Sequence, residues 1–110
     1  MGVPPLPPGG NDLTTRGQRE LDDIEVVFGA LAHASRRQIL LVLHARGGEM
    51  TAGDIAGRFA CSWPTTTGHL RVLVDAGLIT VTRRGRERVY ALDVDRLDAV
   101  AAEWLGNFAA

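Results

Sequence analysis

Two stretches of the chain gather side chains suited to holding a polyanion. The first, Ser62-Trp63-Pro64-Thr65-Thr66-Thr67-Gly68-His69-Leu70-Arg71, is rich in hydroxyls and adds one imidazole and one guanidinium. Hydroxyls and imidazole hydrogen-bond phosphate oxygens and base edges, and threonine methyls touch thymine methyls. The second, Arg83-Arg84-Gly85-Arg86-Glu87-Arg88, sets four arginines around one glycine. A guanidinium fork pairs bidentately with phosphate or guanine. Catalytic patterns are missing: the sequence has no Gly-rich phosphate loop and no nucleophile paired with a base. An enzyme is therefore not expected.

The charge distribution agrees. The formal net charge of −1 conceals a sorting along the chain. Residues 58–90 carry Arg58, Arg71, Arg83, Arg84, Arg86 and Arg88 against Asp75 and Glu87, a local +4. Residues 91–110 set Arg96 against Asp93, Asp95, Asp98 and Glu103, and residues 1–32 are likewise −3, with Arg16 and Arg19 against Asp12, Glu20, Asp22, Asp23 and Glu25. A basic centre between acidic ends fits a local anion-binding face. Every basic residue other than histidine is arginine, which suits phosphate recognition and also follows from a GC-rich genome.

The first stretch needs a scaffold, and the residues around it supply one. Thr51 can cap a helix, with Asp54 three residues on, and Ile55, Ala56 and Phe59 give that helix an apolar side. Ser62 offers a second N-cap, Pro64 falls in the first turn, and Gly77 supplies a left-handed C-cap. Helix, turn, helix over Thr51 to Gly77 suggests a helix-turn-helix. At about 100° per residue, Thr66, Leu70 and Leu73 face inward. Pro64, Thr65, Gly68, Arg71 and Asp75 face outward, with Thr67 and His69 on the flanks.

The arginine cluster needs a hairpin. Residues 78–82 and 88–92 alternate apolar and polar with β-branched residues, and the turn 83–87 between them carries the arginines. A basic hairpin tip beside a presented helix is what a phosphate backbone or narrow minor groove attracts.

The remaining chain frames these parts. Residues 1–17, rich in Pro and Gly, are expected to be a disordered tail. An amphipathic helix over 18–31 repeats Leu21, Ile24, Val27, Phe28 and Leu31. A second helix over 36–46, with Ser35 as N-cap, holds five consecutive apolar residues, Ile39 to Leu43, which must sit in the core or against a partner chain. A last helix over 95–108 aligns Leu97, Val100, Trp104, Leu105 and Phe108. Trp104 and Phe108 so near the end suggest pairing with a second copy, and Leu21, Ile24, Phe28, Val100, Trp104, Leu105 and Phe108 are the expected dimer interface. The fold class is mainly α with a small β-hairpin wing, in the order α-α-α-α-β-β-α, with residues 18–108 forming one DNA-binding and dimerisation domain.

This order resembles the ArsR/SmtB group of bacterial winged helix-turn-helix repressors. Three segments carry the likeness. Ala30 to Leu40, ALAHASRRQIL, is similar to that group's second-helix start, usually A-L-A-D-P-T-R-R-x-I-L. Ser62 to Leu73, SWPTTTGHLRVL, is similar to its recognition helix, commonly S-Q-P-x-V-S-x-H-L-x-x-L. Asp75-Ala76-Gly77-Leu78-Ile79 and Arg84-Gly85-Arg86 resemble its helix end and wing. The resemblance implies a homodimeric transcriptional repressor whose recognition helices enter successive major grooves of an imperfect palindrome, and the single cysteine suits a reducing, cytoplasmic setting. Carried over by position, Ser62, Trp63, Thr67 and His69 touch DNA, and Arg84 and Arg86 lie on the wing. The residues' own chemistry adds Thr65, Gly68 and Arg71 on the helix and Arg83 and Arg88 on the hairpin. Departures are also visible. Trp63 stands for glutamine and either packs on sugar or thymine methyl or staples the turn. Gly68 replaces an often basic residue. Ala60 replaces a turn glycine, at some strain if left-handed. His33-Ala34 replaces Asp-Pro, with a local capping or packing role.

Metal sensing, common in that group, is not expected. The motif's first helix opens without cysteines, the last helix has no histidine, and His33, His44 and His69 sit on separate elements. No metal and no cofactor is predicted. Cys61, the single cysteine, reads as a small buried hydrophobe. The expected partners are double-stranded DNA and a second copy, with an unidentified effector left open. No apolar stretch approaches a membrane span and no signal peptide is visible, so no membrane partner is expected. The alternative reading is a winged-helix protein-interaction module without DNA binding.

Overall fold

The computed structural model describes residues 12–109. Helix α1 spans Asp12–Leu31 and α2 spans Ala34–Ala45. A short strand β1, Glu49–Thr51, leads into α3, Ala52–Arg58, and α4, Trp63–Asp75. Strands β2, Ile79–Arg84, and β3, Glu87–Leu92, form the hairpin, and α5, Val94–Gly106, closes the described chain.

Helix α1 begins six residues before the expected start at 18. Gly17, weighed as part of a tail, lies inside it, since one glycine costs a helix only about 1 kcal/mol relative to alanine. The rest of the expected tail, residues 1–11, lies outside the described residues. The cap of α2 is His33 rather than Ser35: His33 Nδ1 accepts the Ser35 N–H at 3.1 Å. Two of the remaining caps, Thr51 and Ser62, are those the sequence announces, and the third, Asp93, was not foreseen. Thr51 Oγ1 accepts the Asp54 N–H at 3.1 Å, Ser62 Oγ accepts the Thr65 N–H, and Asp93 accepts the Arg96 N–H. At the end of α4, Leu78 N–H donates to Leu73 O and Gly77 N–H to Val74 O, with Gly77 at φ +75°. This is a Schellman closure, and only glycine adopts that φ without strain.

The sheet is three-stranded and antiparallel in the order β1-β3-β2. The third strand was not expected: Met50 pairs with Tyr90, and Glu49 with Ala91. The hairpin turn is tighter than the expected 83–87. Arg83 pairs with Arg88 and Arg84 with Glu87, leaving Gly85 and Arg86 at the tip. Gly85 at φ +66°, followed by a residue of negative φ, fits the two-residue II′ turn.

The core collects one face of each element. Val27, Ile39, Leu43, Ile55, Leu70, Leu73, Leu78, Ile79 and Val100 are buried together. Each buried Leu, Ile or Val contributes about 1.5–3 kcal/mol relative to exposure. Thr66, also inward on α4, satisfies its hydroxyl by donating to Ser62 O at 3.1 Å. Arg96 ties three helices together. Its guanidinium forms an ion pair with Asp23 of α1 and its Nε donates to Ala76 O at the end of α4. The Arg96 hydrogen bond holds the Asp23 carboxyl below its ordinary range.

Two expectations change at this level. Cys61 is exposed, not buried. The chain leaves α3 extended at Phe59, and the half-buried Phe59 ring packs on the core instead. Ala60 takes no left-handed conformation, because no non-glycine residue has positive φ.

Candidate nucleic-acid interface

Helix α4 presents the outward residues by the expected angles. Ser62, Trp63, Thr65, Gly68 and Arg71 are exposed, and Thr67 and His69 are half-buried on the flanks. The hydroxyls are not equivalent. Ser62 Oγ donates to Thr65 Oγ1 at 3.0 Å, which leaves the Thr65 hydrogen free for an external acceptor. Thr67 donates to Trp63 O at 2.8 Å, so outward it offers only its methyl and lone pairs. Thr65 can therefore serve a phosphate oxygen, while Thr67 suits a base edge or thymine methyl.

His69 is held from behind. Arg36 on α2 donates from Nη1 to His69 Nδ1 at 3.3 Å, and guanidinium has only donors, so the imidazole is neutral with its proton on Nε2. Arg36 is itself anchored by Ala30 O at 2.7 Å and Gly29 O at 3.3 Å. The His33 ring lies 4.4 Å from the His69 ring, centroid to centroid. Burial, then His33, then Arg36 push the His69 imidazole below its ordinary pKa. Sequence reading placed His69 at the interface but missed this support. The ALAHASRR segment was its only signal.

The wing arginines divide. Arg84 leans away from the hairpin tip to Glu49 of β1, with both guanidinium nitrogens 3.2 Å from the carboxylate oxygens. Glu49 thus competes for one expected wing contact. Arg83, Arg86 and Arg88 are exposed and form no ion pair among the described residues. Arg86 and Arg88 share a cleft of about 440 Å³ with Trp63, with Glu87, and with Ala52-Gly53 at the start of α3, two guanidinium groups against one carboxylate. The fold thereby joins Trp63 of the first stretch to Arg86 and Arg88 of the second, 23 and 25 residues further along the chain, in one cleft. The role of Ala52-Gly53 was not foreseen.

A second face is apolar. Trp104 and Leu105 on α5, Phe108 two residues past its end (the expected helix ran to 108), and Leu21 on α1 are exposed, with Phe108 70% accessible. Phe28 meets Trp104 edge to face at 5.7 Å, and Trp104 meets Phe108 at 5.3 Å. Ile24 and Val100, expected at a dimer face, are instead buried in the chain's own core. They occupy the inner side of the same helices and hold α1 and α5 together. Among the described residues no three His, Cys, Asp or Glu side chains converge to hold a metal ion. No single helix among them is long and apolar enough to cross a membrane.

Comparison with known proteins agrees with this geometry. A helix-turn-helix domain model matches residues 31–82. The chain is 40% identical over 82 residues to the transcriptional repressor SdpR of Bacillus subtilis (strain 168), covering 74% of this chain and 88% of that one. It is 32% identical over 78 residues to the arsenical resistance operon repressor of Staphylococcus xylosus, covering 71% and 73%. Among solved structures it is similar to the homodimeric winged helix-turn-helix DNA-binding domain of a possible ArsR-family transcriptional regulator from Mycobacterium bovis. That match has a TM-score of 0.70 and 28% identity, and covers 90% of this chain and 88% of the other. The chain belongs to the ArsR/SmtB family of winged helix-turn-helix repressors. It is a DNA-binding transcriptional regulator of that family.

Proposed function

We propose that the chain represses transcription as a homodimer on an imperfect DNA palindrome. The observation that carries this is the pairing of two faces on one small fold. A basic cleft joins Trp63 to Arg86 and Arg88, and an exposed apolar face gathers Trp104, Leu105 and Phe108. A two-fold axis through the apolar face repeats the basic cleft, and two such clefts match two half-sites of a palindrome. In this reading Thr65 and Arg71 hold phosphates. Thr67, His69 and Trp63 meet base edges or sugars, Gly68 lets the backbone come close, and Arg83, Arg86 and Arg88 follow the backbone beside the groove. Ser62 serves as cap and orients Thr65. Leu21, Phe28, Trp104, Leu105 and Phe108 form the dimer contact. The homodimeric Mycobacterium bovis relative and the repressor SdpR support this assignment. The role is binding without catalysis, in the cytoplasm.

The test is selection of bound duplexes from a random pool by the full chain. Enrichment of a motif with dyad symmetry is expected. Enrichment of an asymmetric single motif would contradict the dimeric mode, and no enrichment would contradict sequence-specific binding and favour a protein partner.

A further inference from the structure

Helix α2 carries a stripe that DNA binding leaves unused. Arg37, Leu41 and His44 fall at i, i+4 and i+7, the spacing that lines one side of a helix. Leu41 stands in the middle of a five-residue apolar run, yet is 69% accessible. It lines a pocket of about 490 Å³ with Leu40 on its own helix, Leu92 at the end of β3 and Leu97 on α5. Small-molecule sites span about 300–1,000 Å³ and are mostly apolar with a few placed polar groups. Here the polar groups in the lining are Arg37 and His44.

Arg37 is positioned rather than loose. It donates from Nη1 to Leu31 O at 2.7 Å and makes no other hydrogen bond among the described residues. A guanidinium has five N–H donors, so most of its capacity is free. His44, exposed in the last turn of α2, adds a ring N–H two helical turns away, about 10 Å along the axis. The wall is aliphatic, and Arg37 in its lining is a donor only and permanently cationic. That pattern complements a molecule with an apolar body and an anionic head.

We propose that this pocket binds a small amphipathic carboxylate of the fatty-acid kind. Its hydrocarbon lies on Leu40, Leu41, Leu92 and Leu97, and its carboxylate meets Arg37. A cationic amphiphile would face Arg37 unfavourably, and a neutral one could accept a hydrogen bond but would forgo the ion pair. The occupant touches the root of the wing through Leu92 and the last helix through Leu97, so its binding changes DNA affinity. That consequence rests on the DNA-binding reading above, whereas the binding itself does not.

The experiment titrates the full chain with decanoate, decanol and decyltrimethylammonium by calorimetry, each below its micelle-forming concentration. Decanoate is expected to bind about ten-fold tighter than either analogue. Leu41→Glu changes an exposed side chain and should keep the fold, seen by circular dichroism, while losing decanoate. Arg37→Gln should bring decanoate toward the affinity of decanol, and His44→Gln should change it less. Equal affinity for the three probes, no binding of decanoate, or unchanged binding in Leu41→Glu would overturn the proposal. So would dissociation of a dimer by decanoate in sedimentation, since a second copy would then be the natural occupant. DNA affinity is read separately by anisotropy without ligand, so a failed DNA interaction and a failed pocket are told apart.

Discussion

Arg36 on the second helix donates to His69 Nδ1 on the recognition helix, at 3.3 Å, while holding two carbonyls at the end of the first helix. One side chain thus fixes the azimuth of α4 relative to α1 and α2. The contact needs a neutral His69. Unfolded, the imidazole takes a proton near pH about 6.5. Folded, burial and the neighbouring His33 and Arg36 lower that value. Between the two values the unfolded state binds more protons, so the stability from neutral His69 is complete above about pH 6.5 and is lost as pH falls through the lower folded value. Thermal melts at pH 7.5 and pH 5.5 should show a larger loss of Tm for the wild type than for His69→Gln. Equal losses would place the acid sensitivity elsewhere.

The wing makes a prediction that separates its arginines. Arg86→Ala with Arg88→Ala should weaken DNA binding across all sequences and flatten the salt dependence by about one unit of slope per lost phosphate contact. Arg84→Ala should do less, because Glu49 already holds that guanidinium. Glu49→Gln should release Arg84 and strengthen binding most at low salt. A weakened complex from Glu49→Gln would mean that the ion pair positions the wing instead of competing with DNA.

Local signals made much of this legible. Thr51, Ser62 and Gly77 mark helix ends by chemistry that acts over three or four residues, and they stand where the sequence puts them. Inward Thr66, Leu70 and Leu73 follow from helical periodicity alone. What escaped was tertiary. Strand β1 is three residues long, too short for an alternating pattern, and exists because β3, some 40 residues later, pairs with it. The same pairing brings Glu49 within reach of Arg84. Cys61, which reads as a small buried hydrophobe from its residue type, is turned to the surface by the extended exit at Phe59. Ser35 reads as the cap of α2 in the sequence, but of the two local roles open to His33, capping or packing, it takes the cap, its Nδ1 accepting the Ser35 N–H.

Trp104→Ala should yield a monomer in sedimentation at concentrations where the wild type is a dimer. The indole sits between Phe28 and Phe108 at the centre of the exposed apolar face, and central aromatic anchors dominate interface energies. A dimer of undiminished tightness would move the interface off α5.

Arg96→Met keeps an unbranched apolar stem and removes the links to Asp23 and Ala76 O. The ion pair is partly solvent-exposed, so it contributes only about 1 kcal/mol or less, which corresponds to a Tm lower by about 4–8 °C at most. Asp23→Asn should cost less than Arg96→Met, because the bond to the end of α4 survives. Equal costs would mean that the α4 contact adds nothing.

The central claim is that the basic cleft of a dimer reads a DNA sequence. Fluorescence anisotropy of the full chain on duplex DNA from upstream of its own coding region, beside a scrambled duplex at two salt concentrations, tests it most directly. The account predicts tight, salt-sensitive binding with a clear preference for the upstream sequence. Weak binding, equal for both duplexes and indifferent to salt, would contradict it.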